Sequence, residues 1–524
     1  MSEITSLRKK IGQIMMIGFH GDKLNSEVID MISNCMVGSV ILFSRNIKTP
    51  EQVKLLTRKL QETAKQSGHY RPLIIATDQE NGIVRRLNYG FTKLPGSMVL
   101  GAVDDCNTTY EISKTTGKEL KSAGINMNLA PVMDVNSNPK NPVIGVRSFG
   151  ENPSFVASHG VEFIKGHQSQ HVITSAKHFP GHGDTAQDSH LGIPLVNNSM
   201  ENVRKTELVP FIAAIQNNVA SVMISHVHYR SIDMNQTTPA SLSKNVINHL
   251  LRGKFGFRGV VITDCLEMDA ISSATGTAEG ALNALKAGVD LLVVSHTYAE
   301  QKRVIDRIVD AVNHNEIELQ VIDNAVERIH KLKDKYINWN FINKNSGGYQ
   351  LSEQDFSLHR KLARSVYRRG ITVLKGKKLL PIDSGHIHCV TVFDNNGSPA
   401  EENSDCIDLK RLNIPLDIRI STGRITGSET DQELEKKLNG DADFSVIFTN
   451  TTGANNNLIN KIHYLIDRLK TTALISLKSP YILSEFPKAQ VLIATYDPTE
   501  TAIQAVMEII TGKVQAVGKS PVTI

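Results

Sequence analysis

Short apolar runs rich in Val and Ile alternate with longer amphipathic stretches through the first 340 residues. The runs are MMIGF (15–19), GSVILF (38–43), PLIIATD (72–78), NMNLAPVMDV (126–135), VITSAKHF (172–179), SVMISHV (221–227), GVVITD (259–264) and DLLVVS (290–295). Gly or polar residues bound them, and unbroken runs of this length read as parallel strands buried on both faces. Between them lie helical patterns such as PEQVKLLTRKLQETAKQ and QKRVIDRIVDAVNHN. Eight strands, each followed by a helix or long loop, predict an α/β fold of the (β/α)8 barrel type.

A polar break, YINWNFINKNSGGYQLSE (336–353), interrupts the rhythm and reads as a linker. The helix FSLHRKLARSVYRRG then leads into a second α/β pattern. Its expected strands are ITVLK (371–375), IHCVTVFD (387–394), FSVIFTN (444–450), TALISLK (472–478) and QVLIATYD (490–497). These predict a smaller, doubly wound sandwich without a Gly-rich phosphate loop. The expected division is a barrel over 1–340, a linker and connecting helix over 341–365, and the second domain over 366–524.

Composition narrows the classes. The net charge is only +5 and no block of like charges occurs, so nothing points to nucleic acid or an anionic membrane. The five cysteines (Cys35, Cys106, Cys265, Cys389, Cys406) are scattered and form no C-x-x-C, which favours a reducing compartment. No apolar run approaches the roughly 18–20 residues of a membrane span. The N-terminal basic residues precede a short stretch broken by Gly12 and Gln13, read as a helix entering a strand rather than a signal peptide. A cytoplasmic location is expected, with secretion by a removed leader as the alternative.

Barrel enzymes carry their chemistry where the strands end. Here the run ends supply Asp78, Asp134, Lys177, His178, His226 and Asp264. Such a rim suits a polyhydroxylated ligand such as a sugar; an ion-pair network closing the barrel top fits the strand ends equally well. Lys177 lies in the apolar context TSAKHFP and needs a partner or a ligand, since a buried unpaired charge is costly.

The stretch KHFPGHGDTAQDSH (177–190) gathers three histidines, two aspartates and a lysine in one loop. It resembles the K-H-(F/I)-P-G-H-G-x(4)-D-(S/T)-H signature of the β-N-acetylglucosaminidase branch of glycoside hydrolase family 3. IATDQENGIVRRL, FTKLPGSMVLGA, APVMDVNSNPKNPVIGVRSFGENP, TPASLS, GVVITDCLEMDAI and AGVDLLVV agree in order and spacing. The resemblance covers the barrel and extends more loosely over the second domain, whose ending GKSPVTI resembles the family's terminal strand. Asn81-Gly82 departs from the Gly-Gly pair usual in the family.

The resemblance implies a retaining glycosidase, which needs a nucleophile on one side of the scissile bond and an acid on the other. It makes Asp264 the nucleophile, His190 the acid/base and Asp188 the residue that orients His190. Asp78, Arg86, Arg147, Lys177 and His178 become sugar-binding residues. Plainer readings are a helix N-cap for Asp264, a salt bridge to a loop acid for Arg147 and a solvated helix face for Arg86. His182 and Asp184 are expected to shape the loop, whose glycines 181 and 183 would let it move. Glu267 and Asp269 are read as helix-start or exposed acids.

A metal site is the main rival for this loop. His178, His182, Asp184, Asp188, His190, His226 and His228 are possible ligands, but their spacing matches no standard zinc motif. No metal or cofactor is therefore expected. The expected partner is a carbohydrate: terminal GlcNAc on chitin oligosaccharides or on GlcNAc-MurNAc fragments of the cell wall. A β-glucosidase or GlcNAc phosphorylase of the same family, or a sugar-binding barrel without turnover, are the alternatives. The second domain offers no expected catalytic residue.

Overall fold

The structure, a computed structural model, describes residues 3–186, 192–234, 237–340, 342, 350–394, 418–425, 429–437, 442–453 and 455–524. Eight short strands form the barrel: β1 (Met15–Ile17), β2 (Ser39–Leu42), β3 (Ile74–Thr77), β4 (Met127–Asn128), β5 (Ile173–Phe179), β6 (Ser221–Ile224), β7 (Val260–Thr263) and β8 (Leu292–Val294). They are parallel, in the order β8-β1-β2-β3-β4-β5-β6-β7. Ile262 bridges Leu291 and Thr263 N donates to Leu291 O, which joins β7 to β8 and closes the ring. Each apolar run identified in the sequence carries one of these strands.

The runs are unbroken because both strand faces are covered. All residues of β1, β2, β3, β6 and β7 are buried. Barrel-interior side chains fill one face and the surrounding helices cover the other. The helix Pro50–Gln66 shows how the outer ring is specified. Thr49 caps it by accepting from Gln52 N, proline starts it, and Val53, Leu56, Leu60 and Ala64 form its buried stripe. The run 126–135 is strand only at Met127–Asn128. Pro131 lacks a ladder donor, and beyond it only Val132 bridges β5, at Lys177.

The second sheet contains β9 (Thr372–Lys375), β10 (Gly385–Val392), β11 (Ile418–Ile425), β12 (Phe444–Thr449), β13 (Thr472–Ser476) and β14 (Val491–Ala494), in the order β9-β14-β13-β12-β10-β11. All five expected strands are present, and β9 pairs antiparallel to β14 at one edge. β11, at the other edge, was not expected. Its sequence IRISTGRI alternates and its interior positions are partly exposed, so no apolar run marks it. The closing GKSPVTI forms no strand. It lies across the helix Ser97–Val103 and the loop at Glu151 instead: Lys519 N donates to Ala102 O, and Thr523 bonds Glu151.

The apolar core of this domain runs without a break into the barrel. Val366, Tyr367, Val446 and Ile493 share one cluster with Ile83, Met98, Val99 and Phe149. The second domain therefore packs on the loops and helix that follow β3 and β4, beside the barrel mouth. No helix among the described residues is long and apolar enough to cross a membrane.

Candidate active site

Asp78 is the first residue after β3, and Lys177 and His178 lie inside β5. Consecutive strand residues normally point to opposite faces, yet both of these reach the same rim. The β5–β6 register shifts between Ala176 and Phe179, and this irregularity re-aims the pair. Lys177 is buried, with Nζ 2.7 Å from Asp78 Oδ1 and 2.7 Å from Glu80 Oε1. Glu80 in turn accepts from Arg147 Nε and Nη2, at 2.8 Å each, in a two-point ion pair. Arg147 Nη2 also lies 3.4 Å from His178 Nε2, and His178 Nδ1 lies 2.7 Å from Asp134 Oδ2. Asp134 further accepts from the backbone N–H groups of His178 and His182.

Four expected rim residues, Asp78, Asp134, Lys177 and His178, thus join Arg147 and Glu80 in one network. On Glu80, Asp134, Arg147 and Lys177 burial opposes charge, but the partners outweigh it. Glu80 is held well below the usual carboxylate range by Arg147 and Lys177. Asp134 is likewise lowered by His178, while Arg147 is raised by Glu80 and Lys177 by Asp78 and Glu80. The ion-pair reading of the strand ends is observed: the rim is an ion-pair network. Arg147 makes the acid contact set against substrate binding, with Glu80 as the acid.

Arg86 is not on a helix face. It is buried in the loop after Asp78, where its N–H donates to Gln79 Oε1 at 2.9 Å. Asp264 follows β7, two strands on from β5, and is half-buried. It is not a helix cap: the next helix is Asp269–Ser272, and Asp264 Oδ1 accepts from the adjacent Cys265 N at 2.8 Å. His226 braces this turn. Its Nε2 donates to Cys265 O at 3.0 Å, and its Nδ1 faces Ser241 Oγ at 2.7 Å. Burial pushes the Cys265 thiol up to about 11, so it stays protonated. Glu267 departs from expectation: its carboxylate accepts from His296 N and Thr297 N, beside the helix Tyr298–Asn313, rather than starting a helix of its own.

The match of a family model now decides the relationship: the glycosyl hydrolase family 3 N-terminal domain matches residues 6–332. The chain belongs to glycoside hydrolase family 3. It is 34% identical over 382 residues to β-hexosaminidase A of Pseudoalteromonas piscicida, a match covering 68% of this chain and 63% of that relative. The chain thus spans less than two thirds of that protein. Among solved structures, a family 3 β-N-acetylglucosaminidase from Paenibacillus sp. str. FPU-7 is similar with a TM-score of 0.90 and 34% identity, over 99% of this chain and 98% of that one. A fungal multi-domain family 3 β-N-acetylglucosaminidase gives 0.90 and 36%, over 99% of this chain and 60% of that one.

Within this family 3 chain, the loop after Lys177 is described up to residue 186 and again from 192; Asp188 and His190 lie outside the described residues. Its base is tightly held. Asn141 Nδ2 donates to His182 O and Gly183 O, and Asn141 Oδ1 accepts from Val143 N and Ile144 N. That one amide ties the loop to the segment bearing Arg147. Both glycines are positions of close approach. A Cβ at Gly183 would come 1.7 Å from Val135 O, and one at Gly181 would come 2.8 Å from Glu207 Cβ. Burial lowers His182 to about 4, so it is neutral, with Nδ1 2.9 Å from Thr185 Oγ1. Among the described residues no group of three His, Cys, Asp or Glu side chains could hold a metal ion.

Sequence reasoning missed Glu80, Asn128 and Asn141. Glu80 had one available signal: an acid three residues beyond a buried strand in DQENG, with two buried basic residues needing partners. The two asparagines had none, because the bonds that matter, from Asn128 to Gln79 and from Asn141 to His182 and Gly183, cross more than 40 residues of chain.

Proposed function

We propose that the protein is an exo-acting, retaining β-N-acetylglucosaminidase. One observation carries the reading. Asp264 stands half-buried at the end of β7 without capping a helix, on the same barrel rim as the Lys177–Asp78–Glu80–Arg147 network. The similarity to named β-hexosaminidase and β-N-acetylglucosaminidase relatives supports the same choice.

In this reading the Asp264 carboxylate attacks the anomeric carbon of a terminal GlcNAc while His190 protonates the departing glycosidic oxygen. A covalent glycosyl ester forms on Asp264, and the aglycone leaves as an alcohol. Neutral His190 then takes a proton from water, whose oxygen attacks the same carbon and frees Asp264. Two inversions give net retention. Asp188 orients the imidazole and stabilises its protonated form. Asp78 accepts from sugar hydroxyls, and Arg86, Arg147, Lys177 and His178 contribute donors. The Glu80 contacts suit this role, because they hold Lys177 and Arg147 in place before substrate arrives. Chitin oligosaccharides and GlcNAc-MurNAc fragments both present the required terminal residue.

The test is a panel of aryl β-glycosides. Turnover of the GlcNAc member, with the β-anomer released first, supports the reading; turnover of the glucose member alone contradicts it.

A further inference from the structure

The loop from Asp78 to Arg86 is held from three sides. Asn128 brackets Gln79, accepting from its N–H and donating to its carbonyl, at 2.9 Å each. The Gln79 side chain turns back to accept from Arg86 N and Leu87 N at 2.9 and 3.0 Å. Asn81, in the left-handed region at φ 70, donates to Thr116 Oγ1 at 3.0 Å.

The third side is supplied by the second domain. Asp497 follows β14 and is fully buried. Its Oδ2 accepts from Tyr367 Oη at 2.6 Å. Its Oδ1 faces Arg85 Nη1 at 3.7 Å. Arg85, buried too, donates from Nη1 to Gly82 O at 2.5 Å and from Nε to Asn88 Oδ1 at 2.8 Å. Gly82 and Gly96 are in direct backbone contact: a Cβ on Gly82 would lie 2.9 Å from Gly96 Cα and 3.7 Å from Asp497 Oδ2. The residue before Asp497, Tyr496, is buried at φ 62, a conformation that bulky residues rarely adopt. Backbone strain of this kind persists only where the surroundings over-determine it.

We propose that Asp497 is a positioning residue which, acting through Arg85 and packed beside the Gly82–Gly96 contact, fixes the Gly82–Arg86 segment, so that the second domain sets how tightly the barrel holds its terminal sugar. The proposal rests on the reading of Asp78 and Arg86 as sugar-binding residues. The plainer view is that this buried ion pair only glues two domains together. Its geometry argues for more. Arg85 neighbours Arg86 in the chain and bonds the carbonyl of Gly82, so a shift of its guanidinium moves the loop itself. The charge that holds the guanidinium comes from outside the barrel.

The test uses the full chain with Asp497→Asn, which keeps the shape and removes the charge, and Tyr367→Phe, a milder change should the first fail to fold. The expected result is a KM for an aryl β-GlcNAc glycoside raised roughly tenfold, with kcat within about twofold. Amide exchange in the peptide spanning 79–88 should quicken at the same time. A lower melting temperature with unchanged KM, or unchanged exchange in 79–88, overturns the proposal. In a double-mutant cycle, Asp497→Asn should add little to Arg85→Gln; additive losses overturn the route through Arg85. Should the wild-type chain fail to turn over any GlcNAc glycoside, the functional reading falls separately, and the exchange measurement still decides whether Asp497 positions the loop.

Discussion

Glu80 and Arg147 form a buried two-point ion pair, with both contacts at 2.8 Å, and the same carboxylate also holds Lys177. One acid therefore contacts two buried cations, and Asp78 shares Lys177 with it. Removing it leaves Arg147 and Lys177 in a poorly solvated rim with, among the described residues, Asp78 and Asp134 as the acids that remain. Breaking a buried pair from one side costs about 3–5 kcal/mol. Glu80→Ala should lower the urea midpoint by a corresponding amount, and acid should act similarly. The depressed pKa of Glu80 gives stability that is present above the ordinary glutamate range and is lost as pH falls through its lowered folded value. A midpoint equal to that of wild type contradicts this assignment.

Glu207 predicts the opposite pH dependence. Its buried side chain packs its Cβ and Cγ against Gly181, and Asn198 Nδ2 donates both to Glu207 Oε1 and to Asp184 Oδ2. Burial raises Glu207 from 4.5 to about 7, with Asp184 adding to the rise. A folded-state pKa above the unfolded one means the contribution is fully present below pH 4.5 and is lost as pH rises through about 7. At about 1.4 kcal/mol for each tenfold change in proton binding, full ionisation costs about 3 kcal/mol. Glu207→Gln should therefore gain stability on wild type at pH 8 and match it near pH 4.5. Denaturant titrations at the two pH values measure this; parallel curves contradict it.

His190→Ala should damage substrates unequally. A poor leaving group, such as a second sugar, needs protonation as it departs, and general acid catalysis is typically worth about 10²–10⁴-fold. An aryl leaving group needs little help, so its glycosylation step should survive and the covalent intermediate should accumulate. Azide needs no deprotonation and should rescue the second step. Asp188→Ala should give a milder version. Equal losses across a leaving-group series, without azide rescue, would place the acid/base elsewhere.

Acid–base chemistry of this kind needs no cation. Dialysis against EDTA should leave turnover unchanged, whereas loss that zinc restores would favour a metal at the KHFPGHGDTAQDSH loop.

The barrel was legible because its strands are covered on both faces, so each became an unbroken apolar run. β11 was not, because an edge strand with partly exposed positions carries no such run. Asp78, Lys177 and His178 were legible as polar residues where buried strands end. Glu80 escaped notice because an acid in a Gly- and Asn-containing stretch looks like an ordinary loop residue; only the fold brings Arg147 to it from 67 positions away. Asp497 was read merely as the end of a strand. Its role depends on a domain contact that no local pattern encodes.

In the proposed mechanism Asp264 forms the covalent bond to the sugar. A fluorinated aryl β-GlcNAc analogue that glycosylates quickly and deglycosylates slowly should inactivate the protein in step with release of one equivalent of the aryl alcohol. Peptide mass spectrometry should then find the added sugar mass on the fragment containing Asp264, and Asp264→Ala should show neither inactivation nor adduct. A sugar adduct on any other residue, or turnover by Asp264→Ala near the wild-type rate, would contradict the account.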